Sequence, residues 1–295
     1  MRVFVTGATG YIGSAVVREL LETGHHVVGL ARSDRGAAAL TGAGVAVHRG
    51  ALDDLDSLRR GAAAADGVIH LAFMHDFSDY AGAAAADLRA VETIGTALED
   101  SGKPFVITSG TLVLAILGRR ATEDDLSDPA LPRVASEHTA IALTARGVRS
   151  SVVRLPPLVH GDGDEHGFVP RLIGIARDTG VCGYVGDGSN RWPAVHRLDA
   201  AHLLRLALEN AKGGWVLHGV GDEGLPFRHI AEAIGRQLGV PTATISPDHA
   251  DHFGDLALFV SLDNPTSSAL TQERLGWKPE GPALIPDLEH GHYFR

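Results

Sequence analysis

The stretch Val5–Val17, "VTGATGYIGSAVV", decides the fold. A valine-rich run, Arg2–Thr6, leads into it, and a segment with helical spacing, Tyr11–Glu22, follows. Between them Gly7, Gly10 and Gly13 are spaced G-x-x-G-x-x-G. The first glycine permits a backbone conformation barred to other residues. The second lets the main chain approach a pyrophosphate, and the third lets the helix pack on the strand. The helix start then offers unpaired N–H groups and a positive dipole end to phosphates. A glycine-rich turn alone is weak evidence; one that closes the first strand of an alternating α/β chain is strong.

The alternation continues. Short runs at His26–Ala31, Val45–His48, Gly67–Leu71, Phe105–Thr108 and Ser151–Leu155 are separated by Ala/Leu/Arg stretches. The clearest of these stretches are helices over Asp79–Asp100 and Val134–Arg146. Strand, helix, strand in repetition predicts an α/β fold, a Rossmann-type doubly wound parallel sheet, because each parallel crossover needs a helix. The tracts Ala62–Ala65 and Ala83–Ala86 read as helix with small, close-packing side chains. After Leu155 the pattern turns irregular, with Pro156, Pro157, Gly161, Gly163, Gly167 and Pro170 close together. Helices are expected at Phe168–Asp178, Leu198–Asn210, Phe227–Leu238 and Ser267–Leu275, and strands at Val181–Val185 and Trp215–Val220. Residues 1–155 thus read as a dinucleotide domain. Residues 156–295 read as a smaller C-terminal substrate region, some of whose segments return to the first sheet.

Bulk properties narrow the function. The chain has 295 residues, 44% of them hydrophobic, enough for a full core. Its formal net charge is −10 and no Lys/Arg run stands out, which argues against a nucleic-acid partner. The single cysteine, Cys182, excludes an intrachain disulfide. The start "MRVFVTGATG" lacks the apolar stretch of a signal peptide, and no segment approaches the roughly 18 apolar residues of a membrane span. A cytoplasmic protein acting on a small molecule is the expectation.

"TGATGYIG" is followed in order by "DGVIHLAF" (Asp66–Phe73), "FVITSG" (Phe105–Gly110), "VVRLPPLVHGDGD" (Val152–Asp164), "WPAVHRLDAAHLLRLALE" (Trp192–Glu209) and "LGWKP" (Leu275–Pro279). This series resembles the extended short-chain dehydrogenase/reductase superfamily, in its epimerase/dehydratase-like branch, over nearly the whole chain. The resemblance implies an NAD or NADP cofactor, a small C-terminal substrate domain, and a homodimer through two long helices. It places the cofactor on Gly7, Thr9, Gly10, Tyr11, Ile12 and Gly13, on Leu52, on Leu71, Ala72 and Phe73, and on Thr108, Pro156 and Leu158. At the second strand's end, Arg32 and Ser33 stand where NAD-preferring members carry an acid. An Arg and a Ser suit a 2′-phosphate, so NADP(H) is favoured over NAD(H). Asp34 is expected to cap the next helix, and Asp53 the one after.

The family's catalytic set breaks in this chain. Its members use a Ser or Thr, a Tyr, and a Lys four residues after the Tyr. Aligned on the Ser before that Lys, "PRVASEH" (Pro132–His138) puts Arg133 at the Tyr and Glu137 at the Lys. The hydroxyl position falls on Gly110, flanked by Ser109 and Thr111. Arg polarises an oxyanion but is a poor proton donor. Glu137 is placed to accept from the nicotinamide ribose, with Arg133 and Glu137 orienting each other at i, i+4. Three readings stand. In the first, an altered working site, Arg133 meets a substrate oxyanion or carboxylate and protons come from Thr111, Tyr184, a His or water. The second is a non-catalytic NADP(H)-binding sensor, and the third a plain surface pair. Reduction of a small carbonyl compound is the favoured activity, with nucleotide-sugar epimerisation or dehydration as the alternative.

Other motifs yield less. "HGDGDEH" (His160–His166) invites a metal but has neither a helical H-x-x-x-H pair nor a calcium-loop pattern, so no metal is expected. "ITSGT" is not the G-x-S-x-G elbow of a hydrolase. The stretch Gly183–His196 gathers Tyr184, Asn190, Arg191, Trp192 and His196, the substrate candidates, with Arg191 placed to meet a phosphate; core packing is the more expected role for Trp192, and orienting the loop through a hydrogen bond for His196.

Overall fold

A computed structural model of the chain describes residues 1–74 and 79–295. The first six strands are β1 (Arg2–Thr6), β2 (His26–Ala31), β3 (Ala46–Arg49), β4 (Gly67–His70), β5 (Pro104–Gly110) and β6 (Arg149–Leu155). Between them run α1 (Tyr11–Glu22), α2 (Asp34–Gly42), α3 (Leu55–Ala63), α4 (Tyr80–Ala97) and α5 (Val134–Ala142). The helix predicted to Arg146 tightens into a 3₁₀ turn over Leu143–Arg146 and stops at Gly147, where φ is +73°.

The C-terminal elements follow: β7 (Leu158–His160), α6 (Phe168–Thr179), β8 (Cys182–Val185), β9 (Arg191–His196), α7 (Arg197–Asn210) and β10 (Val216–His218). Then come β11 (Asp222–Pro226), α8 (Phe227–Leu238), β12 (Thr242–Ile245), α9 (Ala269–Leu275) and α10 (Leu284–Glu289). Among the described residues seven strands form one sheet in the order β10-β6-β5-β4-β1-β2-β3, every neighbour parallel. From β1 the chain winds outward to β3, then crosses back and winds the other way from β4. The strand order therefore switches between β1 and β4, the place where doubly wound sheets bind ligands beyond their carboxyl ends.

Both faces of this sheet are covered, which is why its strands read as nearly continuous apolar runs. On one face Val16, Val17 and Leu20 of α1 pack with Leu203, Leu204 and Leu208 of α7, and with Trp277, all buried. On the other, Leu58 of α3, Val91 and Ile94 of α4 and Ala140 of α5 close over Phe4, Phe105 and Ile107. A third core joins Leu158, Trp192, Phe227 and Phe253 beneath two small sheets, β11-β9-β7 and β12-β8. Of these small sheets only β8 was legible in the sequence, as Val181–Val185; β7, β9, β11, β12 and α10 were not, because each is short. β10 joins the large sheet beside β6, although it follows the C-terminal elements in sequence.

Two capping expectations are corrected. Ser33, not Asp34, caps α2 by accepting from Gly36 N, while Asp34 pairs with Arg49. Asp54, not Asp53, caps α3 by accepting from Ser57 N.

Candidate functional site

The glycine turn is closed by backbone against backbone. Gly7 has φ +68°, and a Cβ there would sit 2.8 Å from Ala72 N. A Cβ on Gly13 would lie 2.0 Å from the Gly7 carbonyl oxygen, an overlap no rotamer relieves. Gly10 N donates to the same carbonyl at 2.9 Å and stays exposed at the helix start. The first turn of α1 carries no acidic residue and no side-chain cap, so the amides of Tyr11, Ile12 and Gly13 face outward at a positive helix end. That cradle fits a diphosphate.

Next along the sheet edge, Thr6 Oγ1 accepts from both Leu71 N and Ala72 N at 3.2 Å. Its own proton goes to His70 Nδ1 at 2.7 Å, and that bond assigns His70 Nε2–H as donor to Asp87 at 3.2 Å. Ser136 of α5 donates to the other Asp87 oxygen at 2.6 Å. Burial pushes the Asp87 carboxyl up, but His70, then Arg133 and Ser136, outweigh it and hold it below its usual value. A buried line of hydrogen bonds thus ties β1 to β4, α4 and α5. Of its members, Thr6, His70, Asp87 and Ser136 were not singled out from sequence. The signal was present as a lone Asp inside the Ala83–Ala86 tract helix and a His ending a buried strand.

Arg133 stands at the start of α5. Its guanidinium carbon lies 3.9 Å over the Phe73 ring, and Nη2 donates to the Thr108 carbonyl at 3.3 Å. Nε is buried and has no acceptor among the described residues. Arg133 therefore bridges the carboxyl ends of β4 and β5, beside the glycine turn. Thr108 itself donates to the His70 carbonyl at 3.2 Å.

Glu137 does not pair with Arg133, contrary to expectation. It is 0% exposed, and its carboxylate receives Arg154 Nη2 at 2.8 Å and Ser127 Oγ at 2.6 Å. Burial would raise this carboxyl; the Arg154 guanidinium from β6 outweighs it and holds it low. With both oxygens buried among these groups, Glu137 has no face toward a ribose. Arg154 also donates to the Asp125 carbonyl and to Ser127. His218 Nδ1 donates to the Ser267 carbonyl at 2.8 Å, and Nε2 faces Arg154, so the ring is neutral; burial lowers it to about 4.

The matching family model, described as NAD dependent epimerase/dehydratase family, covers residues 3–217. The chain belongs to that family. Protein C2A9.02 of Schizosaccharomyces pombe, uncharacterised, is 51% identical over 296 residues, covering 100% of both chains. The 2′-dehydrokanamycin reductase of Streptomyces kanamyceticus is 29% identical over 253 residues, 83% of this chain and 69% of that one. Among solved structures, the dTDP-glucose 4,6-dehydratase DesIV of Streptomyces venezuelae with NAD and TYD bound matches with TM-score 0.79. It has 22% identity and covers 100% of this chain and 97% of that one.

Set against what the resemblance implies, several side chains are placed elsewhere. Thr111 is 0% exposed; its hydroxyl donates to Asn264 Oδ1 at 2.7 Å while Asn264 Nδ2 returns to the Thr111 carbonyl at 3.0 Å. It has no proton to offer a substrate. Ser109 is buried, on the Glu137 side of β5, and its hydroxyl leans toward that carboxylate without closing a hydrogen bond. Leu158 lies in the C-terminal core and leaves only main chain for a cofactor. Leu52, half-buried, packs on the α3/α4 face of the sheet. Thr9, Arg32 and Ser33 are exposed around the β2 end; Pro156 is buried just past β6.

The substrate candidates disperse as well. Arg191 grips Asp263 through Nε and Nη2 at 3.0 and 2.8 Å, so its charge is engaged within the protein. Asn190 donates to the Val260 and Leu262 carbonyls, and Trp192, 0% exposed, to Leu262 at 3.2 Å. These three hold segment 260–263, which through Asn264 fixes Thr111. Tyr184 sits on β8 with Arg228 5.7 Å from its ring. His196 faces His160 edge-on at 5.5 Å and lines a cavity of about 150 Å³ with Asp199, Asp222 and Gly281. Burial, then His160, lowers its pKa. Cys182 is buried, and burial pushes its thiol up to about 11.

The Gly161–Asp164 loop has a structural use. Tyr11 donates to the Gly161 carbonyl at 3.1 Å, Gly161 N to Tyr293, and Tyr293 to Asp164. Among the described residues no group of three or more His, Cys, Asp or Glu could hold a metal ion, and no helix is long and apolar enough to cross a membrane.

Proposed function

We propose that this chain is an NAD(P)-dependent oxidoreductase that reduces a small carbonyl compound with NADPH. The observation that carries the reading is Arg133, a cation with unused donors seated on Phe73 and Thr108 beside the glycine turn. The reductase among the relatives supports the same class. Gly7, Gly10 and Gly13, with the amides of Tyr11 and Ile12, hold the diphosphate. Arg32 and Ser33 meet the 2′-phosphate, and Ala72, Thr108 and Pro156 border the nicotinamide. When bound, the dinucleotide supplies the hydride that reduces the carbonyl carbon. Arg133 stabilises the negative charge that develops on the substrate oxygen. It keeps its own proton, and Thr111 and Glu137 are buried and occupied, so the oxygen takes its proton from water. Without a positioned acid, worth about 10²–10⁴ in rate, turnover is slow.

The test is NADPH oxidation against a panel of carbonyl compounds, with Arg133→Ala lowering kcat/KM at least tenfold. An unchanged kcat/KM removes Arg133 from the mechanism. Tight coenzyme binding without turnover favours the second reading, a non-catalytic NADP(H)-binding regulator. That reading draws on the missing Tyr and Lys and on the burial of Ser109 and Thr111. A nucleotide-sugar epimerase or dehydratase has less support, because Arg191 is held by Asp263. The homodimer belongs to this reading too, and sedimentation checks it.

A further inference from the structure

We propose that the substrate is a short 2-oxo acid, its carboxylate and carbonyl oxygens held together by Arg133. This rests on the oxidoreductase reading and adds the substrate class. A guanidinium has five N–H donors. Arg133 uses one, to the Thr108 carbonyl; the remaining donors, including buried Nε, have no acceptor among the described residues. Leaving such donors unmet in a half-buried site is costly unless a ligand supplies acceptors. The carboxylates that come closest to serving are engaged: Asp87 receives His70 and Ser136, and Glu137 receives Arg154 and Ser127.

The shape of the site selects among anions. Phe73 lies under the guanidinium, its ring centroid 3.9 Å from the guanidinium carbon, and covers one side of it, leaving N–H donors at its edge for a planar partner. In a 2-oxo acid the keto oxygen and one carboxylate oxygen lie side by side in one plane, matching two parallel N–H bonds. A phosphate dianion asks for more positive charge, and the other cations weighed for this site, Arg154 and Arg191, are neutralised by Glu137 and Asp263.

The experiment uses the full chain. Oxamate, an unreactive analogue of a short 2-oxo acid, is titrated calorimetrically with and without NADP⁺. Initial rates with NADPH compare glyoxylate with glycolaldehyde and pyruvate with hydroxyacetone. The acid of each pair is expected to have at least tenfold higher kcat/KM. Arg133→Gln should abolish that preference and weaken oxamate at least tenfold while coenzyme affinity stays within twofold; Arg133→Lys, which keeps the charge but not the fork, should recover part. Equal rates for acid and neutral partner, or oxamate binding untouched by Arg133→Gln, overturn the proposal and leave the oxidoreductase reading standing. Absence of coenzyme binding overturns that reading instead, while oxamate binding to the chain alone still reports on the anion site.

Discussion

The glycine turn and the first turn of α5 lie along one sheet edge, yet they tolerate change in opposite ways. At the turn every contact is main chain: Gly7 abuts Ala72 N and Gly13 abuts the Gly7 carbonyl, so any side chain collides. At α5 the contacts are made by side chains, to other side chains and to the Thr108 carbonyl, and such a set can be exchanged if charge and hydrogen bonds still balance. Glu137 is balanced by Arg154 on β6, with Ser127 completing the set. The glycine turn is therefore held by backbone geometry, while the α5 corner is free to exchange side chains.

The comparison can be broken most severely at Gly13. Gly13→Val drives a Cβ into a carbonyl at 2.0 Å and should abolish coenzyme binding, with a stability loss of about 3 kcal/mol or more; calorimetry and urea denaturation read both. Next comes the buried pair. Glu137→Gln or Arg154→Met leaves one partner buried and uncompensated, a loss of about 3–5 kcal/mol, whereas the double exchange Glu137→Met with Arg154→Met should regain most of it. Equal losses in single and double variants would show that the two charges do not balance each other.

Acid should weaken the same corner. His218 has a folded pKa of about 4 against an ordinary 6.5, so the unfolded chain binds more protons between those values, and stability falls as pH drops through them. Glu137 and Asp87, both held low, lose their contributions as pH falls further, through their depressed values. Denaturation midpoints at pH 7, 5.5 and 4.5 check the direction; a midpoint rising toward acid contradicts it. The smallest effect belongs to Thr111→Val, which removes one hydrogen bond to Asn264. It should cost about 1–2 kcal/mol and leave kcat nearly unchanged. A hundredfold fall in kcat would restore Thr111 as a proton donor.

Much of the fold was legible because strand–turn–helix repetition is a local pattern. The ranges of β1, β2, α1 and α8 match their expectations residue for residue, and β3 to β6 within two residues at either end. In the C-terminal region β8 was legible within one residue, but β7, β9, β11 and β12 were not, since strands such as Asp222–Pro226 and Leu158–His160 are short and lack period-two alternation. The site divides the same way. Gly7, Gly10 and Gly13 are readable because their role is set by backbone. Arg133 was read from its place in a motif, but the partner of Glu137 was not legible, because Arg154 lies on β6, 17 positions away. Arg191 was read as a candidate phosphate contact for want of any sequence sign that segment 260–263 would claim it, whereas Trp192 packs in the core as its residue type suggested.

The most direct measurement is titration of the purified chain with NADPH and with NADH. One-to-one binding is expected, tighter for the phosphorylated coenzyme, with that preference diminished about tenfold in Arg32→Ala as one charge-assisted contact is lost. No affinity for either coenzyme would contradict the account at its root.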